Sequence, residues 1–377
     1  MNRLTGGAGF GVYVHIPFCT RRCDYCAFAT WTDRFHLVDD YVQACSLEIG
    51  RAVDGGMSPA TSVFFGGGTP SLLTPEQISA VLGSIPLAPG SEVTVECNPD
   101  TVDVAKLRGY RTAGVTRLSF GAQSMVAHVL AGLGRQHGTG AVRAAIEAGS
   151  EAGFAESYNV DLIFGAAGET RSDWEATLSA ILAMDPPPPH VSAYALTVEP
   201  GTPLGRDPGR HPDPDDQAAK YTVADEVLIG AGLEWYEISN WSRPGRECRH
   251  NQLYWAQGQY LGFGCAAHSH RVDPVSGMAR RWWNVRTPER YIGLVRGGDD
   301  AEAAGEDLDG GARRQEALEL SLRTREGVPA SALPGWEDDP VLRELVAPAG
   351  GGGEGGRLVL TRPGRLLANE VAIRLVV

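Results

Sequence analysis

The sequence predicts an α/β fold: a partial or full β/α (TIM-like) barrel followed by a small winged-helix-like domain. Three observations carry this. Short β-rich runs alternate with amphipathic, helix-length stretches over about 230 residues, the pattern of parallel strands joined by crossover helices. The chain has 377 residues and is 43% hydrophobic, which supplies a large buried core and excludes wholesale disorder. The segments of unusual composition fall just after successive strand runs, where parallel barrels gather their active sites.

In order, strands are expected at residues 12–16, 62–65, 92–96, 116–120, 158–164, 190–196 and 234–238. Helices are expected between them, near 33–53, 75–84, 103–113, 139–152, 171–184 and 215–231. The second helix has a marked start: Thr74 is placed to cap it, Pro75 takes the first helical position, and Gln77 follows three residues after the cap. Four consecutive prolines at 186–189 read as a stiff connection into a strand, and 206–216 as a surface loop. The Gly/Asp/Glu/Ala-rich stretch at 298–312 reads as a linker. A helix over 314–325, a glycine-rich turn over 350–356 and a strand over 357–361 suggest the winged-helix-like piece. The expected organisation is a core barrel over 1–240, a connecting segment over 241–300 and a C-terminal domain over 301–377.

Lys plus Arg is 33 and Asp plus Glu is 46, a net charge of −13, which argues against a life on nucleic-acid phosphate or anionic lipid. No apolar run approaches the roughly 18 residues of a membrane span, and no secretory signal is readable, so a cytoplasmic protein without an integral membrane anchor is expected. Of seven cysteines, Cys19, Cys23 and Cys26 are clustered, while Cys45, Cys97, Cys248 and Cys265 are scattered. A disulfide framework would spread and pair them, so the cluster points to metal chemistry in a reducing compartment.

The spacing is C-x3-C-x2-C, directly after the first expected strand. Structural zinc is the first alternative, but it takes four ligands in a closed tetrahedron and no fourth is nearby. An electron-transfer ferredoxin cluster also takes four cysteines. Three thiolates can hold three irons of a 4Fe–4S cluster and leave the fourth iron open to an exchangeable small molecule. Further motifs close later strands: Gly66-Gly67-Gly68-Thr69-Pro70, Glu96-Cys97-Asn98-Pro99, Gly121-Ala122-Gln123-Ser124, and Asp161 within the fifth strand. The glycine run is expected to bring backbone close to a ligand and to leave N–H groups free for it. Glu96 and Asp161 could bond ribose hydroxyls or an ammonium group, or could be solvated rim carboxylates.

A C-x3-C-x2-C loop after the first strand of a β/α barrel resembles the radical S-adenosylmethionine (SAM) superfamily. The resemblance implies a 4Fe–4S cluster on Cys19, Cys23 and Cys26 whose open iron is chelated by SAM. The segments YVHIPFC, GGGTP, ECNP, GAQS and LGRQH look like the HemN-like branch of that superfamily, from about residue 10 to 270, with a weaker match over 360–375. Carried over position by position, the branch's SAM contacts would be Tyr13, Tyr25, Gly67, Gly68, Thr69, Glu96, Gln123, Arg135 and Asp161. In relatives some of these serve a second SAM, so one or two SAM sites are both open.

Two functions remain within the branch. One is an enzyme, an oxygen-independent coproporphyrinogen III dehydrogenase that decarboxylates oxidatively in porphyrin formation. The other is a haem chaperone that keeps the radical SAM framework but binds haem and passes it to an acceptor haem protein. The dehydrogenases carry a further cysteine two residues after the third, where this chain has Phe28, and an N-terminal extension, where only 18 residues precede Cys19. The hexapeptide His250-Asn251-Gln252-Leu253-Tyr254-Trp255 matches the H-N-Q-x-Y-W of the chaperone branch. The reading therefore leans away from an enzyme. No residue is assigned a catalytic role.

Imidazole is a common axial ligand to haem iron, and Tyr254 and Trp255 could edge the macrocycle. His250 is the expected haem contact, with His268 and His270 as competing ligands; a satisfied core histidine is the structural alternative. Proteins of the superfamily that act on RNA usually add a basic domain, which the acidic balance argues against, so no nucleic-acid partner is expected. The sequence departs from the branch at Gly165-Ala166-Ala167-Gly168-Glu169-Thr170, which replaces Gly-Leu-Pro-Gly-Gln-Thr; that loop is expected to be looser.

Overall fold

The computed structural model describes residues 9–349 and 356–376. Its first half is a repeated strand–helix unit: β1 (Phe10–Ile16), α1 (Val38–Asp54), β2 (Ala60–Gly67), α2 (Pro75–Leu82), β3 (Leu87–Cys97), α3 (Val104–Ala113) and β4 (Arg117–Gln123). After α4 (Ala127–Gly132) and α5 (Thr139–Gly149) come β5 (Tyr158–Phe164), α6 (Arg171–Leu182), β6 (His190–Ala195) and α7 (Pro214–Gly230). Then follow β7 (Glu234–Glu237), β8 (Asn240–Ser242), α8 (Arg249–Trp255), β9 (Gln259–Phe263), β10 (His268–Val272), β11 (Ala279–Asn284), α9 (Pro288–Gly297) and β12 (Glu302–Leu308). The chain ends with α10 (Gly310–Leu322), β13 (Val328–Pro329), α11 (Pro340–Leu345), β14 (Val346–Pro348), β15 (Arg357–Leu360), α12 (Arg362–Leu366) and α13 (Ala368–Ala372).

β1 to β6 lie side by side and parallel, and β9 adds a parallel strand on the outer side of β1. Antiparallel strands extend both ends, so the twelve-stranded order runs β12-β11-β10-β9-β1-β2-β3-β4-β5-β6-β8-β7 and leaves an open, partial barrel. Period-two alternation sorts the residues of each strand. Val12, Val14, Val63, Phe65, Val93, Val95, Leu118, Phe120, Val160 and Leu162 are all buried in the main core. The residues between them, Tyr13, His15, Phe64, Glu96, Ser119 and Asp161, share the opposite face, and that face carries the chemistry.

Local rules set the element ends. Thr74 accepts from the Gln77 N–H while the Gln77 side chain returns to the Thr74 N–H, with Pro75 at the first helical position, as the sequence predicts. Thr170 and Asp173 close the same box at the start of α6. α3 ends on Gly114 at a φ of 104°, a left-handed position that favours glycine.

Two expectations change. The stretch expected as a linker at 298–312 contains an edge strand, β12, paired antiparallel to β11. Its composition hides it, because it carries no β-branched or aromatic residue. Its pairing is reinforced by Arg280 to Glu302 at 2.6 Å and Arg281 to Glu306 at 2.6 Å. The loop at 165–170, expected to be looser, is pinned. Glu169 accepts from the Gly165 N–H at 2.6 Å and pairs at 3.2 Å with Lys220 of α7, both side chains essentially without solvent exposure.

The C-terminal piece has its own sheet, ordered β13-β15-β14, and a separate apolar cluster around Val328, Leu333, Leu358 and Val371. Most of the glycine-rich stretch expected at 350–356 lies outside the described residues. The piece is clasped to the barrel by Asp225 of α7, which accepts from Arg365 at 2.7 and 2.8 Å and from Arg362 at 2.7 Å.

Candidate functional site

The three clustered cysteines lie on the loop that leaves β1, and neighbouring segments hold that loop. The Gly68 N–H donates to the Ile16 carbonyl at 2.7 Å and the Thr69 N–H to the Phe18 carbonyl at 2.8 Å. Trp31 closes the loop by donating to the Pro17 carbonyl and accepting from the Cys19 N–H. Asp24, between the second and third cysteines, is tied to Arg210 at 2.9 Å, and its N–H donates to the Leu133 carbonyl.

Cys19 is buried, whereas Cys23 and Cys26 are half-buried. Thr69 Oγ1 donates to Cys19 Sγ at 3.4 Å, and Arg135 Nη1 to Cys23 Sγ at 3.3 Å. Burial pushes the Cys19 thiol up to about 11, against the pull of Thr69, and pushes Cys26 up as well. Bare, these thiols stay protonated; a bound metal takes them as thiolates. Among the described residues no three His, Cys, Asp or Glu are gathered to hold a single metal ion. Beside the loop, Arg135 Nε and Gln123 Oε1 are buried without partners, orphaned polar atoms that a cofactor could satisfy.

The expected SAM residues form two groups. Tyr25 and Arg135 lie at Cys23, with Gln123 beside Tyr25: burial is the largest effect raising the Tyr25 phenol, and the Arg135 charge opposes it. Gln123 sits at a φ of 63°, where β4 shifts register against β5. Glu96 and Asp161 form the second group on the inner face. Burial, with the Asp161 charge behind it, pushes Glu96 up to about 8. Asp161 accepts from Ser119 at 2.5 Å and from Asn159 at 3.0 Å.

The glycine run does not behave as expected. The Gly67 N–H donates to Glu96 Oε2 at 3.1 Å, and those of Gly68 and Thr69 are spent on the cysteine loop. A Cβ at Gly68 would lie 2.7 Å from the Ile16 and Phe18 carbonyl oxygens. Gly68 is therefore required by backbone against backbone, and these N–H groups are not left free for a ligand.

Tyr13 faces a cavity of about 560 Å³ that Ala27, Phe28 and Ala29 of the cysteine loop also line. Its hydroxyl meets His15 Nδ1 at 3.1 Å, and its ring stacks on Phe64. This cavity runs from Phe28, just beyond Cys26, to Tyr254 of α8, Tyr260 of β9 and both histidines of β10. Arg281, Arg286 and Glu316 also border it. The sequence reading missed Tyr260, Arg281 and Arg286. The alternation of β10 and β11 was the available signal, but nothing in the sequence sets those strands beside β1.

His250, the expected haem contact, is 1% exposed. Its Nδ1 meets Ser62 Oγ at 3.0 Å and its Nε2 meets the Tyr254 hydroxyl at 2.8 Å. Burial pushes it down to about 3, so it is a neutral imidazole with both nitrogens engaged. It lies behind Tyr254, the member of the hexapeptide that lines the cavity. Trp255 lies under the Arg323 guanidinium at 5.3 Å.

Comparison with known proteins decides the family. The model of the radical SAM superfamily matches residues 13–181. The chain is 40% identical to the protein named Heme chaperone HemW of Mycobacterium tuberculosis, over 97% of this chain and 94% of that one. The chain belongs to the HemW family. A family member from Bacillus subtilis is 33% identical over 95% of this chain and 97% of its own. The fold is shared more widely: the solved coproporphyrinogen III oxidase HemN of Escherichia coli superposes with a TM-score of 0.80 over 97% of this chain and 89% of that one. At 21% identity that likeness shows the fold alone. Among the described residues no helix is long and apolar enough to cross a membrane.

Proposed function

We propose that this chain is a haem chaperone: it binds haem and hands it to an acceptor haem protein in the cytoplasm. Its resident cofactors would be a 4Fe–4S cluster on Cys19, Cys23 and Cys26 and SAM on the open iron. The observation that carries this is the match to HemW relatives along nearly the whole of both chains. The position of Phe28 agrees with it: an exposed phenylalanine stands where the dehydrogenases have a cysteine, and it faces the large cavity.

The cluster supplies one-electron reducing power to its SAM ligand when both are bound. The chain's own residues hold and tune it. Arg135 puts a positive charge and an N–H on Cys23, and Thr69 puts a hydroxyl on Cys19; both draw electron density from sulfur. Tyr25, Gly67, Gly68, Thr69, Gln123, Glu96 and Asp161 would bind the rest of SAM. With its N–H groups spent, the glycine turn has carbonyl oxygens to offer, which suit an ammonium group rather than a carboxylate. The two inner-face carboxylates suit hydroxyl or ammonium donors. Tyr13 would act from the cavity side.

A haem titration of the cluster-loaded protein, followed by Soret absorbance, tests the reading. Saturable binding of one haem per chain, and its release to an apo-haem protein, are expected. Binding that never saturates would sink it.

A further inference from the structure

The seat of the haem and its iron ligand can be argued from the large cavity; the argument rests on the chaperone reading above. The cavity lies between the cysteine loop and the β9–β11 meander, and its volume of about 560 Å³ suits a ligand of drug size or larger. Its wall is mixed. Phe28 is 65% exposed, an apolar ring with no covering partner. Tyr254 and Tyr260 pack edge to face at 4.6 Å. A flat apolar molecule can be covered by these rings.

The rim is cationic. Arg281 is already committed to Glu306 and Glu316. Arg286 is exposed and has no ion pair or hydrogen bond among the described residues. An unpaired guanidinium beside an aromatic cavity suits a carboxylate-bearing aromatic ligand.

Four imidazoles border or back this space, and their engagement separates them. His15 is spent on the Tyr13 hydroxyl and on the Ala29 carbonyl, 2.9 Å from Nε2. His250 is spent on Ser62 and Tyr254. His270 is 4% exposed; its Nδ1 donates to the Gly258 carbonyl at 2.9 Å, and its Nε2 has no partner but is closed off in the wall. An iron–imidazole bond is about 2 Å long, so an iron could not reach that nitrogen without repacking. His268 differs from all three. It is exposed to the cavity, stacks on Trp283 at 5.5 Å, and has no hydrogen bond at either ring nitrogen among the described residues.

We propose that haem sits in this cavity with its iron on His268 and its propionates toward Arg286, and that His250 positions Tyr254 in the wall. His268 and His270 project from the same face of β10, so the two cannot hold opposite sides of one haem. With one ligand from this chain, the other side of the iron would be left for a ligand from the acceptor protein.

The test is the Soret maximum and the ferric EPR spectrum of the full-length, cluster-loaded protein with haem, for wild type and for His268→Gly, His250→Gln, His270→Gln and Arg286→Glu. Cluster absorbance and circular dichroism serve as the folding check. His268→Gly should change both spectra, and added imidazole should restore them. His250→Gln and His270→Gln should keep the wild-type ligand signature. Arg286→Glu should weaken haem by about tenfold and haem dimethyl ester by less than about twofold. Wild-type spectra retained in His268→Gly, or lost instead in His250→Gln or His270→Gln, would overturn the assignment and leave the chaperone reading standing. Absence of saturable haem binding to wild type would remove the chaperone reading itself.

Discussion

At the scale of single residues, Arg135 links two parts of the site. One nitrogen donates to Cys23 Sγ and another to the Gly121 carbonyl at 2.9 Å, so the bulged end of β4 positions a cation against the proposed cluster. A hydrogen bond to sulfur and a nearby positive charge stabilise the more negative, reduced cluster. Arg135→Gln should therefore lower the reduction potential, by roughly 40–65 mV if about 1–1.5 kcal/mol is lost. Arg135→Lys should recover part of the shift; a potentiometric EPR titration reads both. The cysteines allow a coarser check. Ala at Cys19, Cys23 or Cys26 should abolish the brown absorbance after anaerobic reconstitution, and a variant retaining full iron and sulfide would refute the cluster assignment.

At the scale of elements, a buried ion pair holds the 165–170 loop. Lys220 is 1% exposed and reaches Glu169 and Asp216 from within α7, while the Glu169 carboxylate also takes the Gly165 N–H. Burial pushes the Glu169 carboxyl up, and the Gly165 N–H and Lys220 pull against it. Lys220→Met strands a buried carboxylate and should cost about 3–5 kcal/mol. Glu169→Gln keeps a hydrogen-bonding side chain, and Asp216 still neutralises the lysine, so about 1–3 kcal/mol is expected. Urea denaturation should rank the two in that order; equal midpoints would show that the pair does not hold the loop.

At the scale of the whole molecule, the contact between barrel and C-terminal piece turns on Asp225. Burial alone would raise its carboxyl, but bonds from Arg365, Trp241 and Arg362 hold it below the usual carboxylate range. A depressed folded value means that this contribution is complete above the ordinary carboxylate value of about 4 and is lost as pH falls through the folded one. The docked state should thus be indifferent to pH between 8 and 5 and weaken only in stronger acid. Asp225→Asn leaves the nearly buried Arg365 without its counter-charge and should cost about 3–5 kcal/mol. Limited proteolysis would register it as faster cleavage between the two pieces; an unchanged rate would move the clasp elsewhere.

What the sequence determined by itself is the local and periodic part. Short β-rich runs between helix-length stretches marked the strands from β1 to β7, because each strand must bury residues in the core. Thr74-Pro75 marked a helix start because capping is local, and three cysteines in eight residues marked a candidate metal loop because ligand spacing is local. β12 escaped because an exposed edge strand needs no apolar face, only a neighbour to pair with. The rest was decided in three dimensions. Whether the Gly67, Gly68 and Thr69 N–H groups were free depended on how closely the cysteine loop approached, and it took them. Whether His250 or His268 offered a free nitrogen depended on Ser62, Tyr254 and the open side of β10, residues far apart in the chain. A motif can name the residue types of a site, but which lone pairs stay unpaired is settled only when distant segments have packed and claimed the others.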